Sequence, residues 1–141
     1  MNAPLYNSEI LRLAASVPFD ARLAEPMASV EKRSPICGSR VTVDVALGAD
    51  GRLAEIGMLV RACALGQASA ALMEAHARGR SPEELAAARD ALTAWLAGET
   101  DAMPDWPGLD LFVPALPHRA RHPSIRLAFE AVAQAAEEAR R

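Results

Sequence analysis

The sequence predicts a single α+β domain, and three observations carry that reading. Two neighbouring runs alternate apolar and polar residues with a period of two, separated by a turn signal. The segments after them switch to the 3.6-residue period of amphipathic helices. At 141 residues and 51% hydrophobic, the chain has the length and apolar content for one packed core. A strand block followed by a helix block places helices over one face of a small antiparallel sheet of about three strands. Neither a repeat nor a second domain is evident, so residues 1–141 read as one unit.

The elements follow in order. Asn7 or Ser8 can cap a helix over "SEILRLAAS", which must end before Pro18. "MASVEKRS", residues 27–34, is a candidate first strand. Val41, Val43, Val45 and Leu47 then alternate with Arg40, Thr42, Asp44 and Ala46, the pattern of a half-buried strand. "GADG" signals a turn, and Ala54, Ile56, Met58 and Val60 mark the returning strand. A two-residue loop at Ala49–Asp50 pairs Val41 with Met58, whereas one at Asp50–Gly51 pairs it with Val60. Both registers keep the apolar residues on one face.

After Cys63, the residues Leu65, Ala68, Leu72 and Ala75 suggest one face of a helix. "SPEEL" is an N-terminus signature in which Ser81 caps, Pro82 opens the helix and Glu84 completes a capping box. Leu85, Ala88, Leu92 and Trp95 form its apolar stripe. The Pro-rich stretch 98–117 reads as a loop, in which Trp106 is a candidate contact residue. Ile125, Phe129, Val132 and Ala136 supply the last amphipathic helix.

Net charge −3 argues against a nucleic-acid partner. No apolar run reaches the roughly 18 residues of a membrane span, and "MNAPLYNSEI" lacks the pattern of a secretory signal. The expected setting is therefore a reducing cytoplasm, where the two cysteines are free thiols or ligands rather than a structural bridge. Extending either hairpin register beyond the strands puts Cys37 opposite Ala62 or Ala64, with Cys63 between them. Both thiols are thus expected at the open end of the hairpin, with Cα atoms within roughly 10 Å. Cys63 also stands where strand gives way to helix, near Arg61, and helix amides there favour a thiolate. The competing reading makes both cysteines small apolar core fillers.

His76 reads as a surface residue, while His118 and His122 in "PHRARHP" are helix caps, solvated residues or candidate ligands. Arg119, Arg121 and Arg126 form a solvated face or a docking patch for an acidic partner. Phosphate-loop, nucleophile-elbow and paired-His signatures are all missing from the sequence, so conventional enzyme chemistry has no support in it.

Three stretches together resemble the IscU/NifU N-terminal family of iron–sulfur cluster assembly scaffolds, including its zinc-binding SufU branch. "SPICGS" is similar to the family's Asn-Pro-x-Cys-Gly-Asp. "CALGQASAALMEAHARGRSPEEL" is similar to Cys-Ala-x-x-x-Ala-Ser-x-x-Met followed by Gly-Lys-Ser-x-Glu-Glu. "ARHPSIRLAFEAV" resembles the segment with the third family cysteine and Leu-Ala-Trp. The resemblance runs from about residue 8 to 135 and implies the IscU/SufE-like α+β sandwich. It further implies a [2Fe–2S] cluster or zinc ion on three cysteines plus an aspartate or histidine, sulfur delivered by a cysteine desulfurase, and apo-protein acceptors. Cys37 and Cys63 match two family cysteines, and Cys63 is the implied persulfide acceptor. Ser39 stands at the aspartate position and Ser124 at the third cysteine, which leaves His122 as the substitute metal ligand. The same resemblance admits a diverged homologue that has lost the full metal site and serves as an interaction module. "LPPVK", the chaperone-recruiting sequence of the IscU branch, does not occur.

Overall fold

A computed structural model describes residues 7–17, 20–35 and 38–141. Helix α1 (Ser8–Ser16) is capped by the Asn7 side chain, which accepts from the Ile10 amide at 2.9 Å. Strands β1 (Asp20–Ala21), β2 (Ala28–Arg33), β3 (Arg40–Leu47) and β4 (Leu53–Arg61) follow, then helices α2 (Ala64–Ala77), α3 (Pro82–Leu96) and α4 (His122–Arg140). The strands form one antiparallel sheet in the order β1-β4-β3-β2. The α+β class holds, with four strands among the described residues rather than three. Two-residue β1 is too short to leave a period in the sequence.

The β3–β4 register pairs Val41 with Val60, Val43 with Met58 and Val45 with Ile56, then steps by one so that Leu47 faces Leu53. Neither two-residue loop forms. The Gly48 amide bonds the Arg52 carbonyl at 2.8 Å, enclosing Ala49, Asp50 and Gly51, and Gly51 alone takes positive φ (+79°). A two-residue Asp50–Gly51 turn of type I′ would force positive φ on Asp50 as well. The three-residue loop confines that conformation to glycine.

The inner sheet face, carrying Val41, Val43, Val45, Ile56, Met58 and Val60, packs against the helices and is fully buried. α4 lies on β2 and β3 and α2 on β4, with α1 against α2 and α3 against α4. The Ser81 capping box forms as expected, with both reciprocal bonds at 3.1 Å. α2 is buried on most of its circumference, but Ala75 faces solvent. The face that carries Leu65, Ala68 and Leu72 therefore continues to Ser69, Met73 and Ala77 instead.

Two further expectations change. Asp44 and Thr42, on the outer sheet face, are buried rather than solvated. β1 and β2 occupy opposite edges, so the connection 22–27 must cross that face, and it runs directly over Gly57. A Cβ at Gly57 would lie 2.6 Å from the Ala21 carbonyl oxygen and 2.7 Å from the Leu23 nitrogen. Asp44, which pairs with Gly57, accepts from Arg22 (2.6 and 3.0 Å), Ser29 (2.6 Å) and the Leu23 amide (3.1 Å). Burial pushes the Asp44 carboxyl up, but Arg22, Ser29 and Leu23 together outweigh it and hold the group below the usual range.

Trp106 is core, not a contact residue. It is buried, donates its indole N–H to the Leu72 carbonyl at 2.9 Å, and meets Phe129 edge-on at 5.1 Å. The Arg80 guanidinium lies 3.9 Å from its ring centroid. Segment 98–117 includes a 3₁₀ turn, Leu109–Ala115, whose Leu109, Phe112 and Ala115 are buried beside it. This loop closes the helical layer.

Candidate functional site

The site lies at the sheet end where β3 begins and β4 ends. Arg40 faces Arg61 there. Past Arg61 the chain stays extended through Cys63, which has φ −66° and ψ 172° and is the N-cap of α2. Its carbonyl accepts from the Gln67 amide at 2.9 Å, while its side chain makes no capping bond. Ser, Thr, Asp or Asn at an N-cap would use the side chain to satisfy a helix amide. Cys63 instead keeps a half-buried free thiol beside the first-turn amides of α2, which have no partner within the helix.

The β2–β3 loop lies at the same end. The Ser34 amide donates to the Ser39 carbonyl at 2.8 Å and the Gly38 amide to the Ser34 carbonyl at 3.2 Å, with Gly38 at φ +73°. Those bonds tie Ser34 to Gly38 and Ser39, the described ends of "SPICGS". Ile36 and Cys37 are outside the described residues, and so is the expected distance between the two cysteines.

α4 completes the site. The Ser39 and Ser124 hydroxyl oxygens stand 3.5 Å apart, at the long end for a hydrogen bond, and both residues are buried. The first turn of α2 rests on that of α4: a Cβ at Gly66 would lie 3.3 Å from the Ser124 carbonyl oxygen. Ser69 locks the contact by donating to the Ile125 carbonyl at 2.6 Å. Ser39 and Ser124, matched to ligand positions on sequence resemblance alone, thus meet in space at the Cys63 end of the sheet.

His122 opens the same helix, two residues before Ser124. Its Nε2 lies 3.0 Å from the Ala115 carbonyl oxygen and the side chain is buried. A carbonyl only accepts, so this nitrogen carries the proton and the ring's free lone pair sits on Nδ1, the nitrogen a metal would take. Two residues apart on a helix, His122 and Ser124 face different ways. Burial also removes the solvated and capping alternatives for His122, while His118 is exposed. His76, half-buried, stands edge-on to Trp106 at 6.4 Å. Of the expected arginine patch, Arg119 and Arg121 are exposed and Arg126 pairs with Glu130 at 3.6 Å.

Sequence reasoning missed Ser34 and Ser69. Ser34 left one trace, as the serine that opens a six-residue motif with Ser39 at its other end. Ser69 left none, because its partner is a backbone carbonyl 56 residues away.

A [2Fe–2S] cluster takes four ligands, normally thiolates, and zinc takes four Cys, His or carboxylate groups. Among the described residues no three His, Cys, Asp or Glu side chains are grouped to hold a metal ion. With two cysteines in the chain and hydroxyls at Ser39 and Ser124, the donor set does not complete a four-ligand centre. What the site offers chemically is thiol chemistry.

Among solved structures, the chain is 37% identical to a nitrogen-fixing NifU-like protein (N-terminal) from Brucella abortus, covering 95% of this chain and 93% of that one with a TM-score of 0.88. A protein from the thermophile Fervidobacterium islandicum AW-1, described as an iron–sulfur cluster assembly scaffold for the SUF system, shares the fold. Its TM-score is 0.76 at 15% identity, over 94% of this chain and 96% of that one. A hypothetical protein does likewise, with a TM-score of 0.71 at 19% identity over 91% and 93% of the two chains. No protein-family model and no curated protein matches the chain. No helix among the described residues is long and apolar enough to cross a membrane. The Brucella match, over nearly the full length of both chains, agrees with the three motifs, and the chain belongs to the IscU/NifU N-terminal (SufU-like) family.

Proposed function

We propose that this protein acts in iron–sulfur cluster assembly as a sulfur-accepting scaffold, with Cys63 as the acceptor, a cysteine desulfurase as donor and apo-proteins as recipients. The observation that carries this reading is the Cys63 thiol, which stands at a helix N-cap without a capping bond. In the transfer, the Cys63 thiolate attacks the terminal sulfur of a persulfide on the desulfurase. The donor's S–S bond breaks as a new one forms on Cys63, and the donor leaves as a thiolate. The bound sulfur keeps its oxidation state, so no further oxidant or reductant is needed. A reducing cytoplasm is the setting this chemistry requires.

Iron, a [2Fe–2S] cluster or zinc is cargo in this reading. Cys37 and Cys63 are the thiolates the chain offers to it, His122 is the further candidate ligand, and the set is completed from outside the chain. The paired hydroxyls of Ser39 and Ser124 argue against their serving as ligands, whereas the bond at Nε2 of His122 leaves its Nδ1 as the candidate nitrogen ligand. Site-resolved mass spectrometry after anaerobic incubation with a cysteine desulfurase and cysteine tests the proposal. Persulfide on the Cys63 peptide, absent from Cys63→Ser, is the expected result. Modification confined to Cys37, or to neither thiol, would refute it.

A further inference from the structure

Three arginines stand abreast at the Cys63 end of the sheet. Arg33 of β2 pairs with Arg40 of β3, and Arg40 pairs with Arg61 of β4. Directly paired residues share a face and sit about 4.5–5.5 Å apart at Cα. Arg40 alternates with Val41, so this row lies on the outer face, away from α4. The crossing segment 22–27 covers that face at Asp44, four residues along β3, and the row lies beyond it. Arg33 and Arg61 are exposed, Arg40 is half-buried, and a cavity of about 440 Å³ opens between Arg33, Pro35, Gly38 and Arg40.

Like charges directly opposite one another destabilise a sheet. Elsewhere the chain pairs its arginines with carboxylates, as at Arg22–Asp44, Arg52–Glu84, Arg78–Glu74 and Arg140–Glu83. In the row only Arg33 has such a partner, Glu31 at 2.7 Å, and Arg40 and Arg61 form no ion pair among the described residues. A protein of net charge −3 thus concentrates three arginines against one neighbouring carboxylate, Glu31, with Arg61 two residues from the Cys63 thiol. Guanidinium forks match carboxylates in paired geometry, so an acidic chain segment fits them.

We propose that Arg33, Arg40 and Arg61 form the docking edge for a carboxylate-rich segment of the protein that delivers sulfur to Cys63. The inference rests on the sulfur-acceptor reading above, and its test separates the two. The Kd for the cysteine desulfurase encoded in the same genome is measured against ionic strength, for wild type, R40E/R61E and the remote control R89E. Circular dichroism checks that each variant folds, and persulfide on Cys63 is mapped in parallel. The expected result is at least tenfold weaker binding by R40E/R61E, a flatter salt dependence, and R89E within about twofold of wild type. Equal binding by R40E/R61E and wild type, equal loss in R89E, or no binding by wild type overturns the docking edge. Row-dependent binding to a DNA duplex in place of the desulfurase overturns the acidic-protein partner. Row-dependent desulfurase binding without persulfide on Cys63 upholds the edge and refutes the acceptor reading. Persulfide formation with unaltered R40E/R61E binding does the reverse.

Discussion

Two places on the sheet treat charge in opposite ways. At Asp44 the chain buries a carboxylate completely and surrounds it with an arginine, a hydroxyl and an amide, sealed by the segment that crosses Gly57. At the Cys63 end the same strand, β3, starts with Arg40 between two other arginines, next to a helix whose capping side chain makes no cap bond. The first arrangement gives the carboxylate a full set of partners and keeps it out of reach of solvent. The second gives up local stability and leaves a thiol and positive charge within reach. Stability is concentrated at one locus and chemistry at the other.

The largest effect is expected at the sealed locus. Asp44→Asn should destabilise the fold by about 3 kcal/mol at neutral pH, the low end for breaking a buried pair, because Arg22 is 44% exposed and can return to water. The native carboxyl pKa is depressed, so its contribution is complete above the unfolded value of about 3.9 and is lost as pH falls through the native value. Denaturant titrations of both proteins should therefore converge in acid. A gap that stays constant as the pH falls through the acid range would mean that the carboxylate charge is not what stabilises.

A smaller loss is expected from Gly57→Ala, about 2 kcal/mol, since the added methyl meets backbone of the crossing segment that cannot rotate aside. Thermal melts that match wild type would show that the crossing does not bear on Gly57. The smallest effect belongs to the site. Restoring the family residues in a Ser39→Asp/Ser124→Cys double variant should tighten zinc binding at least tenfold, about 1.4 kcal/mol. Unchanged affinity in a competition titration would show that these hydroxyls do not occupy ligand positions.

How much of this was legible in the sequence depends on how local the cause is. The capping box at Ser81, the strand–helix junction at Cys63 and the pairing of Val41 with Val60 all arise from neighbours or from one short hairpin. Continued by one residue, that register also pairs Arg40 with Arg61, so the arginine row was within reach of the same arithmetic. Asp44 looked solvated because its cover is a segment about twenty residues upstream, which crosses only because β1 and β2 take opposite edges. Trp106 looked free because the groups that bury it, Leu72 of α2, Arg80 of the α2–α3 connection and Phe129 of α4, lie on either side in sequence. The Ala115 carbonyl that fixes the His122 tautomer belongs to a 3₁₀ turn, which leaves no periodic signal. Ser39 and Ser124 were linked by motif resemblance alone, across 85 residues.

The most direct measurement is a paired one, in which thermal stability and sulfur uptake are recorded together for Cys63→Ser and Asp44→Asn. Cys63→Ser should keep the wild-type melting temperature within a few degrees and take up no sulfur from a cysteine desulfurase. Asp44→Asn should melt markedly earlier, yet take up sulfur at the wild-type rate when assayed well below its own transition. Sulfur uptake lost in Asp44→Asn while it is still folded, or retained in Cys63→Ser, would contradict the division of labour between the two ends of β3.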